Sequence, residues 1–453
     1  MRTSLRPVFL LLALLAALLA PRAAWATVWA RLAEGVTRCD VSEQARADAL
    51  PSLSFADPRA RETWQAMTER PRVTPRFRAN PDGSTTASIQ VPPGAALYGT
   101  GMAAGPIERS GRRTVAWNTD AYNYTDKSES LYQSHPWVLV VRSNGTAFGV
   151  LADTTYRCAI DLTSGIRFRA EGPAFPVIVF EGDSPQQVLT RLTDFIGRID
   201  LPPRWTLGYH QCRYSYFPDT RAQEVAREFR ARSIPCDVIW HDIHYMDGNV
   251  NFTFDPERFP DPKAHNAVLH GMHFKSVWMI NTGQGIREGF FVHDQMRDQE
   301  LFVRDKDGNP YVGNVWPGPC LFPDFTSARV RAWWAGLFKD FMALGIDGIW
   351  NDMNEPAVFD TPKWTMPEDN LHDADPELGG PGPHARYHNV YGMLMARATR
   401  EGILAANPDR RPFVLTRANF IGGHRYAAMW TGDNAATWPH IDWSVSMAIT
   451  LGL

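Results

Sequence analysis

An excess of charge of either sign is nearly absent from these 453 residues: 46 Lys and Arg stand against 49 Asp and Glu, and no run of basic residues occurs. A net charge of −3 excludes a nucleic-acid partner held by electrostatics. Cysteine is scarce too. Cys39, Cys158, Cys212, Cys236 and Cys320 are widely spaced and odd in number, which indicates neither a disulfide scaffold nor a Cys-x-x-Cys zinc site. Buried free thiols are the default. The sequence also lacks a Gly-x-Ser-x-Gly elbow, a phosphate-cradling glycine loop and a Cys/His pair, so serine, nucleotide and thiol chemistry have no local signature. Long apolar runs are confined to the first 26 residues, where Arg2 and Arg6 precede the stretch Val8 to Ala20 and Ala24-Trp25-Ala26. That order reads as a secretory signal cleaved near Ala26, because the apolar core is shorter than the ~20 residues of a spanning helix. Export to a periplasmic or extracellular space is expected, with no membrane association after cleavage.

What the sequence does contain is a hydrophobic fraction of 44%, 12% aromatics including 16 Trp, and 34 each of Gly and Pro. These suit a folded chain of about three domain-lengths and exclude disorder, collagen and coiled coil. Residues 27–183 show short alternating runs, Thr85 to Val91, Trp137 to Val141, Thr146 to Leu151, Ile166 to Ala170 and Phe175 to Phe180, with Asn144-Gly145 as a hairpin signal. This region reads as an all-β sandwich. Residues 184–204 read as a helical linker, Ser184 to Arg198, closed by the breaker Leu201-Pro202-Pro203.

From residue 205 to 453 strands alternate with helices. Strands are predicted at Trp205 to Cys212, Cys236 to His244, Phe274 to Asn281, Asp347 to Met353, Pro412 to Phe420 and Arg425 to Gly432. Helices are predicted at Thr220 to Ser233, Pro262 to Met272, Ser327 to Leu344, Ala385 to Ala406 and Ile441 to Leu453. The fold class is therefore a β-sandwich followed by a (β/α)8 TIM-type barrel, of which about six strands are present. Insertions Glu288 to Phe325 and Asn354 to His384 follow the third and fourth strands, on the face where such a barrel builds its site.

Acidic residues gather at those strand ends: Asp242 after the second, Asp352 and Glu355 after the fourth, Asp433 after the sixth, with Trp316, Trp350 and Trp430 beside them. Carboxylates with flat indoles suit cleavage of a glycosidic bond, which needs a proton donor for the leaving oxygen and a carboxylate for the oxocarbenium-like carbon. Taken singly, each Asp reads as well as a helix cap and each Trp as core. Histidine pairs His241/His244, His270/His273 and His384/His388 do not read as metal ligands, since residues three apart on a strand face opposite sides and the others lie at helix ends or in loops.

The segment Gly348 to Pro356 (GIWNDMNEP) resembles the nucleophile signature of glycoside hydrolase family 31, in its α-glucosidase branch. Gly208 to Arg213 (GYHQCR), Trp316 to Phe325 (WPGPCLFPDF), Leu415 to Phe420 (LTRANF) and Tyr426 to Asn434 (YAAMWTGDN) are similar to the same family. So are Asp242 to Asp247 and Phe254 to Pro262, and Trp117 to Tyr122 (WNTDAY) resembles the loop by which its sandwich reaches the active site. The resemblance covers nearly all of the chain after the signal. It implies Asp352 as nucleophile, Asp433 as general acid/base and Arg417 as the arginine beside the nucleophile. Asp120, Asp242, Trp316, Trp350, Met353 and Trp430 are implied to line the sugar subsite, with Glu355 next to the nucleophile. No cofactor and no metal is implied, and the partner is an oligosaccharide or other α-glucoside. The implied activity is that of a retaining α-glucosidase, with Arg417 favouring the ionised Asp352. A sister activity such as α-xylosidase or transglucosidase stays open, as does a carbohydrate-binding protein without turnover. Three positions depart from the family pattern: Asn281 and His244 stand where Asp is usual, and Tyr98 to Met102 lacks a usual Glu. The family also implies two further barrel strands and β-domains beyond Leu453, so a carboxyl-terminally truncated chain with an unfinished barrel is expected. Oligomeric state is not legible.

Overall fold

The computed structural model describes residues 27–60 and 64–452, and the segment read as a signal lies outside them. In the strand Ile166–Ala170, Ile166, Phe168 and Ala170 are buried while Arg167 and Arg169 face solvent, the alternation of a half-covered antiparallel strand. It pairs with Cys158–Asp161 and Thr85–Ile89 in a five-stranded sheet. A seven-stranded antiparallel sheet packs against it and is covered on both faces. Val138, Val140, Phe148, Val150 and Val177 fill the space between the two sheets. On the opposite face Trp137, Leu139, Leu151 and Phe180 meet Val188, Leu192 and Ile196 of the helix Pro185–Ile196. Double burial explains the continuous apolar sequence of Trp137–Val141. The helix begins at Ser184, whose hydroxyl accepts the Gln187 N–H, with Pro185 in its first turn.

Six parallel strands follow: β1 (His210–Gln211), β2 (Val238–His241), β3 (Lys275–Asn281), β4 (Gly348–Asp352), β5 (Val414–Thr416) and β6 (Ala428–Met429), hydrogen-bonded in chain order. Helices α1 (Asp219–Ala231), α2 (Pro262–Gly271), α3 (Ala328–Met342), α4 (His384–Ala406) and α5 (Trp438–Leu451) are interspersed with them. The architecture is a sandwich followed by a TIM-type barrel domain with six parallel strands among the described residues. β2 and β4 are buried throughout, as strands covered on both faces must be.

Four predicted strands are markedly shorter than expected; the sixth keeps only Ala428–Met429 of Arg425 to Gly432, because a 3-10 turn takes Gly423–Arg425, and three others shorten for further physical reasons. The first is reduced to His210–Gln211 after a 3-10 turn at Arg204–Leu207, since as an edge strand it is paired on one side only. The second stops at His241, where the Asp242 carboxylate accepts the Ile243 N–H and opens a 3-10 turn. The fifth divides: β5 ends at Thr416, and Asn419–Phe420 pairs instead with Gln133–Ser134 of the sandwich. That cross-domain pairing, with Asn389 of α4 bonding Asn118 and Ala116, seats the sandwich on the barrel's carboxyl face.

Candidate active site

Register brings the strand ends level. Asn281 of β3 lies opposite Asp352 of β4, and Asn351 lies opposite Thr416 of β5, so Asp352 and Arg417 emerge together at the carboxyl edge. The Arg417 N–H donates to the Asn351 carbonyl at 3.0 Å, fixing the turn off β5. Met353 adopts φ 57, in the left-handed region, and donates its N–H to Asp352 Oδ1 at 2.9 Å. A left-handed Met costs energy and concentrates at functional turns. Here it aims the Asp352 carboxylate at Arg417.

Arg417 is the hub. Its Nε and Nη2 donate to both oxygens of Glu355 at 2.9 and 2.8 Å, a planar fork on a carboxylate with no solvent exposure. Nε also lies 3.1 Å from Asp352 Oδ1, Nη1 3.2 Å from Asp433 Oδ2 and Nη2 3.6 Å from Asp120 Oδ2. Tyr132, from the sandwich, donates its hydroxyl to Asp433 Oδ2 at 3.1 Å, and the guanidinium sits 5.1 Å above its ring. With Asp242 close by, five carboxyl groups gather around one guanidinium, Asp433 open to solvent and the other four largely buried, so full ionisation leaves a large uncompensated negative charge. Burial is the largest influence on Asp352 and raises it to about 8; Arg417 pulls it down, while Asp433, Asp242 and Glu355 push it further up. Arg417 acts on Asp352 in the expected direction, favouring the ionised form, but its charge is divided among several acids and burial outweighs it. Asp242 rises to about 6, again through burial first. Glu355 is raised by burial against the opposing pull of Arg417.

The aromatic residues divide into two groups. Trp350 of β4 meets Trp430, which follows β6, edge to face at 5.6 Å and Trp240 of β2 at 5.9 Å. Trp316, on the first insertion, is 41% exposed and stands 6.3 Å from Tyr214 and 5.1 Å from Phe359, forming a rim rather than a floor. Met353 is buried beside Asp352. Several buried polar atoms have no protein partner: Asp120 Oδ1, Trp350 Nε1 and both side-chain heteroatoms of Asn281. His244 bonds Ser215 Oγ through Nδ1 at 2.8 Å and meets the Tyr214 ring edge to face at 4.8 Å.

Two contributors were not singled out from sequence. Tyr132 has no local signal, since it lies 301 positions from its partner Asp433. Gly432, just before Asp433, takes φ 78, and a Cβ there would sit 2.2 Å from the Tyr132 ring, so the signal was the glycine of the segment YAAMWTGDN.

Residues 199–453 match the family described as glycosyl hydrolases family 31 TIM-barrel domain, and residues 44–161 match the glycosyl hydrolase 31 N-terminal galactose mutarotase-like domain. Alpha-glucosidase 2 of Bacillus thermoamyloliquefaciens is 43% identical over 361 residues, 79% of this chain and 45% of that protein. Neutral alpha-glucosidase AB of Homo sapiens is 38% identical over 312 residues, 68% of this chain and 32% of that protein. The crystal structure of the family 31 alpha-glucosidase from Bacteroides thetaiotaomicron is 49% identical with a TM-score of 0.74, covering 81% of this chain and 60% of that one. The chain thus spans less than half the length of these two curated relatives. Since the barrel match runs over more than half of its residues and the sandwich match precedes it in the same order, the chain belongs to glycoside hydrolase family 31.

Proposed function

We propose that this chain carries the catalytic centre of an exported retaining α-glucosidase, releasing glucose from the non-reducing ends of short α-glucosides. The observation that carries the reading is the meeting of Asp352 and Asp433, from the ends of different strands, on the single guanidinium of Arg417. Asp352 attacks the anomeric carbon as the bond to the leaving oxygen breaks, and Asp433 delivers its proton to that oxygen. Water then attacks the glycosyl–Asp352 ester, giving its proton to Asp433 and freeing Asp352. Protons shared within the crowded carboxyl cluster supply the acid form, and Arg417 steadies the charge returning to Asp352. Asp120, Asp242 and the unpartnered Trp350 N–H are groups able to bond sugar hydroxyls, and Trp350, Trp430, Met353 and Trp316 offer apolar faces to the ring. This mechanism uses no cofactor or metal. The three human, bacterial and structural relatives named as alpha-glucosidases support the glucose specificity.

Proton NMR of the first-formed sugar from an aryl α-glucoside tests the reading. The α-anomer is expected; a β-anomer would sink it. Asp352→Ala is expected to abolish turnover. A second reading, sugar binding without turnover, is favoured by one observation, the sheet of six parallel strands that is open among the described residues. It predicts no hydrolysis by the parent chain and unchanged sugar binding in Asp352→Asn.

A further inference from the structure

Behind the carboxylates, three histidines form a line of hydrogen bonds. Asp324 Oδ1, at the end of the first insertion, meets His372 Nδ1 at 2.7 Å. His372 Nε2 lies 2.9 Å from His384 Nδ1, His384 Nε2 lies 3.0 Å from His388 Nδ1, and His388 Nε2 lies 2.7 Å from the carbonyl oxygen of Asn118. All four side chains are buried. Both ends of the line are acceptors. A neutral imidazole carries one N–H, so three neutral histidines offer three protons to four contacts, and one junction would set two lone pairs face to face. In a dry interior such a mismatch is costly.

The missing proton has a natural place. Asp324 also accepts the backbone N–H and hydroxyl of Thr326 through Oδ1 and the Asp373 N–H through Oδ2. Burial alone would raise this carboxyl, but His372 and these bonds hold it below the usual carboxylate range. At the other end burial pushes His388 down to about 3 and His384 well below its ordinary value. The charged groups beside His388 are Arg157 and Glu368, and the rings of Tyr387 and Tyr391 border His372.

We propose that the Asp324–His372 pair holds one proton more than a carboxylate and a neutral imidazole, so that His372, His384 and His388 each donate from Nε2 and the one-way line positions the Asn118 carbonyl. Asn118 stands two residues before Asp120, whose carboxylate reaches Arg417. The same loop is held by Trp117, stacked on His388 at 3.7 Å with the Arg157 guanidinium 4.1 Å from the indole. His372 is thus a positioning residue for the arginine hub although it touches none of the carboxylates there.

Neutron diffraction from deuterated crystals of the parent chain reads the protons directly. A deuteron on Nε2 of all three histidines and a fourth between Asp324 and His372 are expected. Three deuterons in the line, or a bare Nε2 on His388, overturn the proposal. The kinetic arm rests on the α-glucosidase reading. His372→Gln, whose amide donates to Asp324 and turns its oxygen toward His384, reverses the line and is expected to lower kcat/KM about tenfold or more. Asp324→Asn supplies an N–H to His372 Nδ1 and restores the count along the line with neutral histidines, in exchange for the Thr326 N–H bond that Oδ1 accepts, and is expected to keep kcat/KM within about threefold. An unchanged His372→Gln, or a tenfold loss in folded Asp324→Asn, overturns the positioning role; the second criterion serves where His372→Gln does not fold. If the parent shows no turnover, the functional reading fails by itself. The crystallographic Asp120–Arg417 distance in His372→Gln then decides, an unchanged distance counting against the proposal.

Discussion

At Arg417 one guanidinium with five N–H donors faces four carboxyl groups, and Asp242 adds a fifth acid nearby. Because each acid raises its neighbours, neutralising one lowers the rest. Asp242→Asn is therefore expected to move the acidic limb of the kcat/KM–pH profile to lower pH; a limb displaced upward would contradict the cluster account. Stability follows the opposite logic. Asp352 is raised in the folded chain, to about 8 against an ordinary 3.8, so the cost of ionising it appears as pH rises through that window and persists above it. Asp352→Asn is expected to stabilise the fold by about 1 kcal/mol or more at pH 8–9, since one pKa unit is worth about 1.4 kcal/mol. Little gain is expected near pH 4, and comparing melting curves at both pH values checks the sign. Stability forgone at a crowded active site is a common trade against activity.

Between elements, two close approaches hold the catalytic face. Gly432 lets the turn before Asp433 lie against Tyr132, and a Cβ would come within 2.2 Å of that ring. Gly432→Ala is expected to displace the ring, break its bond to Asp433 and lower kcat roughly tenfold to a hundredfold, while Tyr132→Phe removes the bond alone and costs less. Equal, negligible losses in both would show that Tyr132 does not orient Asp433. In the other approach, α4 passes so near the turn after β4 that a Cβ on Gly392 would sit 2.7 Å from the Asn354 carbonyl and 2.8 Å from that of Ala418. Gly392→Ala is expected to destabilise the chain by about 1–3 kcal/mol, read from denaturant midpoints. Helix and strand order was legible from apolar periodicity, and β3 and β4 fell within a residue or so of expectation. Strand ends were not. β5 stops at Thr416 because the next residues pair with Gln133–Ser134, a partner some 286 positions away that periodicity cannot announce.

Over the whole molecule, the barrel sheet among the described residues is open. A cavity of about 690 Å³ lies between its first and last strands, bordered by His210, Trp240, Phe413 and Met429. Leu207 and Tyr209 are exposed beside β1, and Trp438, Ile441, Val445 and Ile449 line an exposed stripe on α5. Unpaired strand edges and apolar stripes of this kind promote association. A polypeptide of residues 27–453 alone is expected to self-associate with rising concentration in sedimentation velocity; a monodisperse monomer throughout would contradict this.

Composition, periodicity and the segments WNDMNEP and WTGDN determined the order of sandwich and barrel and put acids at the strand ends, because both are properties of near neighbours along the chain. Tertiary structure alone decided who shares Arg417, that Tyr132 reaches Asp433, and that Asp324, His372, His384 and His388 stand in line. Charge balance and proton placement depend on burial and on contacts between distant segments, and neither quantity exists until the chain has folded.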